Sequence, residues 1–585
     1  MNLKNSSTYK SIKTPLKIIS LISNKNKFRV FFSFFLMTVS SIFESITILS
    51  ITIVIAKLES GSTSDIDILG INNFFSKINI NFDPTIIFIL IILFSSSLKI
   101  YTLWFNGKTA ANIGNEVSKI AFSKILNWPY EKHTKVNSSS LIAKLTQFSK
   151  TAVGTVNNFL LLMNFLLITI GISITLIRVN LKISLILLFL LIFTYLFNNL
   201  FTRNYVKRTS QIMKIETLNI FKITKEAFEG IKDLILDDRK NEEIKYFQSK
   251  DKILKNAVVG AKFISSYPKY LFEALMIIGL IIIVIFNQNS TNSFDNLSQL
   301  SIFAFGAQKL LPSVQQMYTS ITAIKHAESK TDSIIEIIDD KKINFNRKNY
   351  LNNKNIIPKS SKKKIFKDIL ELNKISFKYK NADEYAVKEF NFILRKGEFV
   401  AIMGQSGSGK TSILDMIMGL IKPISGFIKV DNKYIFKENK FNHLKDWQHS
   451  ISHVPQNVYL LDTSIKENIV MNNRLSKEKS KKRLKEVCEV ACLKEVIDAL
   501  PMGIDSIVGE RGSLLSGGQV QRIGIARAIY NESPLMIFDE ATSALDWDIE
   551  KKLLENIKEY CKNSSLIMVT HREKSSYICD RVIKI

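Results

Sequence analysis

Two hydrophobic patterns divide the chain. Up to about residue 320, long runs of Ile, Leu and Phe recur, whereas the remainder alternates apolar and charged residues as soluble proteins do. Helix crossing a bilayer core needs ~20 apolar residues. Six stretches offer this, at approximately residues 30–55, 84–105, 157–177, 183–201, 263–286 and 297–318. The last is the weakest, interrupted by Gln308, Lys309 and Pro312. A few residues around Val179–Lys182 join the third and fourth as a tight helical hairpin. The connections over 106–157 and 202–262 are rich in helix formers, so the spans are expected to continue as helices beyond the bilayer. Pro129, within Asn127–Glu131, can break the first connection, and Gly230 interrupts the second. Both places are expected contact points with the soluble half.

Beyond a Lys- and Asn-rich linker, short apolar strands alternate with helical runs, an α/β pattern. The expected organisation is a six-span helical membrane domain over residues 1–335, a linker over 336–366 and an α/β domain over 367–585.

Charge refines this picture. The net charge of +28 raises the possibility of nucleic acid as a partner. The lysines are scattered, many flank apolar segments, and there is no arginine-rich arm, so no nucleic-acid partner is expected. Lys and Arg are instead enriched in cytoplasmic segments of membrane proteins. Lys4, Lys10, Lys13, Lys17, Lys25, Lys27 and Arg29 precede the first span without an acidic residue, which puts the N-terminus inside. The loops over 57–83 and 287–296 read as outside; Arg178 and Lys182, on a short outer connection, run against the rule. The four cysteines, Cys488, Cys492, Cys561 and Cys579, all lie in the soluble half, where a reducing compartment disfavours a disulfide. Cys488 and Cys492 would share a helix face, and two thiols alone make a poor metal site. No short apolar core with a small-residue cleavage site opens the chain, so no cleaved signal peptide is expected.

Ionisable residues at bilayer depth are costly unless they face a cavity or a partner. Glu44, Lys99, Glu273 and Lys309 fall in or near spans, and Glu44 lies ~21 Å along its helix. Either a structural ion pair or a polar pathway accounts for them; in the second, Lys99 and Lys309 attract an anionic head group.

The soluble half carries the chemistry. Strand Phe399–Met403 leads into Gly404-Gln405-Ser406-Gly407-Ser408-Gly409-Lys410-Thr411-Ser412, followed by a helical run to Leu420. This is a complete phosphate-binding loop in its strand–loop–helix setting. Its glycines turn backbone N–H groups toward phosphate oxygens, Lys410 supplies a point charge for the β- and γ-phosphates, and Thr411 offers an oxygen to Mg²⁺. Leu535–Phe538 is an apolar strand ending in Asp539 and Glu540. The first acid suits the Mg²⁺ shell, the second a water to be oriented or deprotonated. Between these lies Leu515-Ser516-Gly517-Gly518-Gln519, another N–H-rich helix start suited to an anion.

On these strings the chain resembles the ATP-binding-cassette superfamily, across essentially all of residues 367–585. The resemblance implies two cassettes meeting head to tail, with Ser516–Gln519 of one closing over ATP held by the other. It further implies that Tyr379 stacks on adenine and that Gln456 reaches Mg²⁺ and reports to the membrane domain. Val508–Gly512 would touch the partner's loops, Ser543–Asp546 would cross the dimer interface, and His571 would sense the γ-phosphate. With Glu540 present, hydrolysis is expected, in a homodimer with two competent sites. Family cassettes normally continue past the position of Ile585 through a turn and a closing helix, so late cassette packing is expected to differ.

Six spans before a cassette resemble exporter half-transporters. Tyr267–Glu273 and Phe305–Ser313 look like segments of bacterial flippases for lipid-linked oligosaccharides and of polysaccharide exporters, where Lys269 and Lys309 stand at positions often arginine. The resemblance implies ATP-driven movement of an amphiphile across the inner membrane, with ATP and Mg²⁺ as ligands, a multi-pass chain, and a cytoplasmic ATPase domain. The alternatives are a peptide or drug exporter, and an ATP-gated channel or transport regulator.

Overall fold

A computed structural model describes residues 7–60, 84–287, 293–339, 364–379, 382–437, 440–471 and 477–585. Most of the expected linker and of the expected outer loop over 57–83, and half of that over 287–296, lie outside these residues. The chain forms two compact units, one of residues 1–128 with 132–354 and one of 129–131 with 355–585.

The first unit is helical. A short helix α1 (Ser7–Ser20) precedes α2 (Asn24–Ser60), α3 (Pro84–Leu126), α4 (Ser149–Val179), α5 (Leu181–Glu229), α6 (Lys240–Ser266), α7 (Pro268–Asn287) and α8 (Ser293–Asp339). Four stretches among the described residues are long and apolar enough to cross a membrane: Asn24–Ile48, Phe88–Leu126, Ser138–Val179 and Leu181–Asn198. Helices α7 and α8 cover the fifth and sixth expected spans. Large side chains such as Phe31, Leu93, Ile100, Phe189 and Leu200 are more than half exposed, as a lipid-facing surface requires.

The breaks fall where backbone chemistry puts them. Asn180 accepts from the amides of Lys182 and Ile183 and so starts α5 one residue after α4 ends. Helix α5 stops before Gly230, and Pro268, lacking an N–H, opens α7. Pro312, in contrast, does not end α8, which runs through it. Beside it the Ser313 hydroxyl donates to the Lys309 carbonyl at 3.1 Å, one residue on from the Gln308 carbonyl that the proline leaves without its helix partner.

The second unit contains two sheets. An antiparallel one runs in the order β2 (Val387–Arg395), β1 (Ile369–Phe377), β4 (Ser425–Val430), β5 (Lys433–Lys437), β6 (Lys440–Phe441). The other is parallel, in the order β10 (Arg581–Lys584), β3 (Phe399–Met403), β9 (Ser565–Val569), β8 (Leu535–Asp539), β7 (Ile451–Val454). Strands β3 and β9 are wholly buried, as strands covered on both faces must be, and read as unbroken apolar runs. Helices α9 (Lys410–Ile417), α10 (Lys477–Val490), α11 (Gly517–Tyr530) and α12 (Trp547–Tyr560) complete the unit. Helix α10 ends at Val490 and Cys492 has φ 52°, so Cys488 and Cys492 do not share a helix face as the spacing suggested. Left-handed backbone at Cys492 terminates the run instead.

Candidate functional site: a nucleotide-binding edge

Register decides what the parallel sheet brings together. Ile402 pairs with Val569, Val569 with Asp539, and Phe538 with Val454. The segments that follow β3, β9, β8 and β7 therefore leave the sheet at one level, the carboxyl edge where open α/β sheets bind ligands. They are the phosphate-binding loop, Thr570-His571, Glu540 and Pro455-Gln456.

Glu540 is the hub. The Gln456 amide donates from Nε2 to Glu540 Oε2 at 2.6 Å, and His571 Nε2 stands 2.9 Å from Oε1. Both carboxylate oxygens are thus held, fixing the acid's orientation. Its backbone is left-handed, with φ 51°, a conformation non-glycine residues adopt at a cost of ~1 kcal/mol or more. The bond from the Glu540 amide to the Val569 carbonyl, 3.1 Å, helps hold it there.

The loop itself is built for an anion. Lys410 Nζ donates to the carbonyls of Gly404 and Gln405, at 2.9 and 2.7 Å, so its ammonium lies folded over the loop's entry. Gly409 has φ +90°, and a Cβ there would stand 2.2 Å from the Ala386 carbonyl, so only glycine fits. At Gly407 nothing lies within 4 Å of a Cβ, leaving a phosphate room to approach the backbone. Ser408 Oγ is buried and has no hydrogen-bond partner among the described residues. Tyr379 is 50% exposed; its hydroxyl pairs with Ser412 Oγ at 3.0 Å, and it packs edge-on against Phe377, leaving a ring face to stack on a base.

Three carboxylates crowd this edge. Burial, and next to it the charge of Glu540, pushes the Asp539 carboxyl above its usual range, while Lys410 opposes the shift. Asp415, one helical turn beyond Thr411 on α9, is pushed up to about 6 by burial and by Asp539. The sequence reading missed Asp415; its i, i+4 spacing from Thr411 was the available signal. Acids held in an unfavourable ionised state, beside a hydroxyl and an amide oxygen, are the hard donors Mg²⁺ takes.

The Ser516–Gln519 segment is a self-contained helix start. Ser516 Oγ accepts from the Gln519 amide at 3.3 Å and Gln519 Oε1 from the Ser516 amide at 2.9 Å, a reciprocal capping box. No hydrogen bond among the described residues joins it to Gly404–Ser412. In the helical unit, Glu44 pairs with both Lys99 and Lys309, the latter at 3.2 Å, which brings all three together.

Residues 387–543 match the family model described as ABC transporter. The chain is 33% identical to an ATP-dependent lipid A-core flippase of Alkalilimnicola ehrlichii over 37% of its own length and 36% of that protein's. It is 24% identical to an export ATP-binding/permease protein of Rickettsia typhi over 85% of this chain and 83% of that one. A solved structure of a bacterial Atm1-family ABC exporter with ATP bound superposes with a TM-score of 0.72 at 18% identity, covering 96% of this chain and 94% of that one. Residues 387–543 therefore carry an ABC transporter domain, and over most of its length the chain resembles export ATP-binding/permease proteins. The match to the flippases thus spans about a third of their length, and the likeness to the Atm1-family exporter is one of fold. An ABC transporter domain binds a nucleotide, and four stretches among the described residues are long and apolar enough to cross a membrane.

Proposed function

We propose that this transporter hydrolyses ATP and uses the cycle to move an amphiphile across the inner membrane, working as a homodimer. The observation that carries the reading is Glu540, held on both oxygens by Gln456 and His571, in a chain whose other unit is apolar helices. Lys410 would exchange its two carbonyl partners for β- and γ-phosphate oxygens. Thr411, Gln456 and Asp539 would hold Mg²⁺, which neutralises charge on the phosphates. Glu540 orients the attacking water and accepts its proton, His571 faces the γ-phosphate, and Tyr379 stacks on adenine. The loop residues from Gly404 to Ser412 cradle the phosphates, while Ser516, Gly517, Gly518 and Gln519 serve the nucleotide of the second copy. Transport follows because ATP binds the closed pair better than the open one.

The positively charged segment before α2 supports a cytoplasmic N-terminus and ATPase domain. For the cargo, a lipid-linked oligosaccharide is the finer reading, supported by the Tyr267–Glu273 and Phe305–Ser313 segments; the relatives named as lipid A-core flippases support a lipid-type compound. Purified chain in proteoliposomes, given ATP, is expected to flip a lipid-linked oligosaccharide and to leave hydrophobic peptides and dyes in place. Movement of peptides but not the glycan lipid would overturn the cargo, and absence of ATP hydrolysis would overturn the whole reading.

A further inference from the structure

Glu44 on α2, Lys99 on α3 and Lys309 on α8 form one cluster contributed by three helices. Glu44 is 3% exposed, whereas the lysine side chains retain about a third of their surface, 35% and 34%. Glu44 Oε2 meets Lys99 and accepts from Ser95 Oγ at 3.3 Å; Oε1 meets Lys309 at 3.2 Å. Two ammoniums and one carboxylate leave a net charge of +1, and no other carboxylate pairs with either lysine among the described residues. The Lys269–Glu273 pair on α7, by contrast, is balanced within one helix.

A purely structural pair would need one lysine. An excess positive charge among apolar helices is costly, and a buried ion pair is seldom a net source of stability. The second lysine therefore signals a missing anion. Each ammonium has three donors, more than the single Glu44 oxygen that each meets can occupy. The surroundings describe the rest of the ligand: Phe43 packs on Phe94 with centroids 4.7 Å apart beside Glu44, and Lys309 lies 5.5 Å from the Phe305 ring. An aromatic ring next to one of two paired ammoniums fits an anionic head carrying an apolar tail. The adjoining face of α2 is pinned, since the Ser41 hydroxyl donates to the Leu167 carbonyl at 2.6 Å and a Cβ at Gly171 would stand 2.6 Å from Ser45 Oγ. What can rearrange is the flexible lysines.

We propose that Glu44 is a resident counter-anion occupying the place of a phosphate-bearing amphiphile, which displaces it from Lys99 and Lys309. The proposal rests on the transport reading above and names the head-group chemistry of its cargo. Glu44 then weakens resting affinity and prevents the empty site from carrying two uncompensated charges.

The test is equilibrium binding of fluorescent phosphatidic acid, and of the matching neutral diacylglycerol, to the full-length chain in detergent. Glu44→Gln removes the competitor and should tighten phosphatidic acid binding about tenfold while leaving diacylglycerol unchanged. Glu44→Asp keeps the charge but shortens its reach, and should give a smaller gain in the same direction; it serves if Glu44→Gln does not fold. Lys309→Gln should lose the preference for the anion. Inorganic phosphate, charged but without a tail, should compete poorly; equal competition would overturn the assignment to an amphiphile. No gain in either Glu44 variant, or equal gains for both lipids, would overturn the counter-anion role. The transport reading fails separately, through absence of ATP hydrolysis by the unaltered chain, and such a failure leaves the binding result standing.

Discussion

The Gln456 side-chain amide donates to Glu540 at 2.6 Å, joining the segments that leave two neighbouring strands, β7 and β8. The contact is a consequence of register. Val454 pairs with Phe538, so two residues further along each strand the chains arrive at Gln456 and Glu540 together. Motion of the Gln456 segment therefore reaches the acid directly.

Glu540→Gln keeps the shape of the site and removes the proposed proton acceptor. The variant is expected to bind ATP with near-normal affinity while steady-state hydrolysis falls by about a hundredfold or more. ATP binding and phosphate release measured on the same preparation check it, and normal turnover would contradict the role.

Gln456 holds Glu540 and, in the proposed cycle, would supply an oxygen to Mg²⁺, so its loss should appear mainly in turnover. Gln456→Ala is expected to lower kcat by about ten- to a hundredfold with ATP binding in EDTA unchanged. An equal loss of metal-free ATP binding would make the side chain a structural support instead.

Asp415 gives a pH dependence of defined sign. Its carboxyl ordinarily titrates at 3.8 and is pushed up to about 6 in the fold, first by burial and then by Asp539. The folded state thus holds the extra proton between these values, and stability falls as pH rises across that window. Asp415→Asn, without nucleotide and in EDTA, is expected to melt a few degrees above the parent at pH 8, with the difference closing toward pH 4. A difference that stayed constant with pH would show that the carboxyl's ionisation is not what costs stability.

What was legible in the sequence is what is contiguous. The loop after β3, the acids after β8 and the histidine after β9 each follow an apolar run whose burial dictates a strand, and the strands appear where those runs lie. Long-range pairings were not legible. Glu44, Lys99 and Lys309 could be recognised singly as expensive charges, but their sharing one carboxylate depends on how three helices pack. The left-handed backbones at Glu540 and Cys492 also escaped, because neither residue type favours that conformation and surrounding bonds impose it.

Glu116 on α3 organises the turn between α1 and α2. It accepts from the Ser23 amide at 2.6 Å, the Ser23 hydroxyl at 3.0 Å and the Asn26 side chain at 2.5 Å, placing negative charge at the start of α2. Glu116→Ala strands three donors and is expected to cost about 1–3 kcal/mol. The check is the thermal midpoint of the full chain in detergent; Glu116→Gln, which keeps an acceptor oxygen, should recover part of the loss. An unchanged midpoint for the alanine variant would sink the assignment.

Arg572, next to His571, ties the Ser543–Asp546 loop to the body of the cassette. Its guanidinium donates to the carbonyls of Leu545 and Ser543, at 3.1 and 2.8 Å, and to Glu550 at 3.2 Å. Glu550 is fully buried and also accepts from the Thr542 hydroxyl at 2.6 Å. Removing the arginine alone strands a buried carboxylate, whereas neutralising the carboxylate as well removes the stranded charge. Arg572→Ala is therefore expected to destabilise the chain more than Glu550→Gln combined with Arg572→Ala does. A double-mutant cycle on thermal midpoints reads the coupling. Because Arg572 is about half exposed in the pair, water supports part of its charge, and the coupling should be about 1–2 kcal/mol rather than the larger value of a fully buried pair. Additive effects of the two substitutions would mean that Arg572 acts on the loop alone and that Glu550 is satisfied by Thr542 without it.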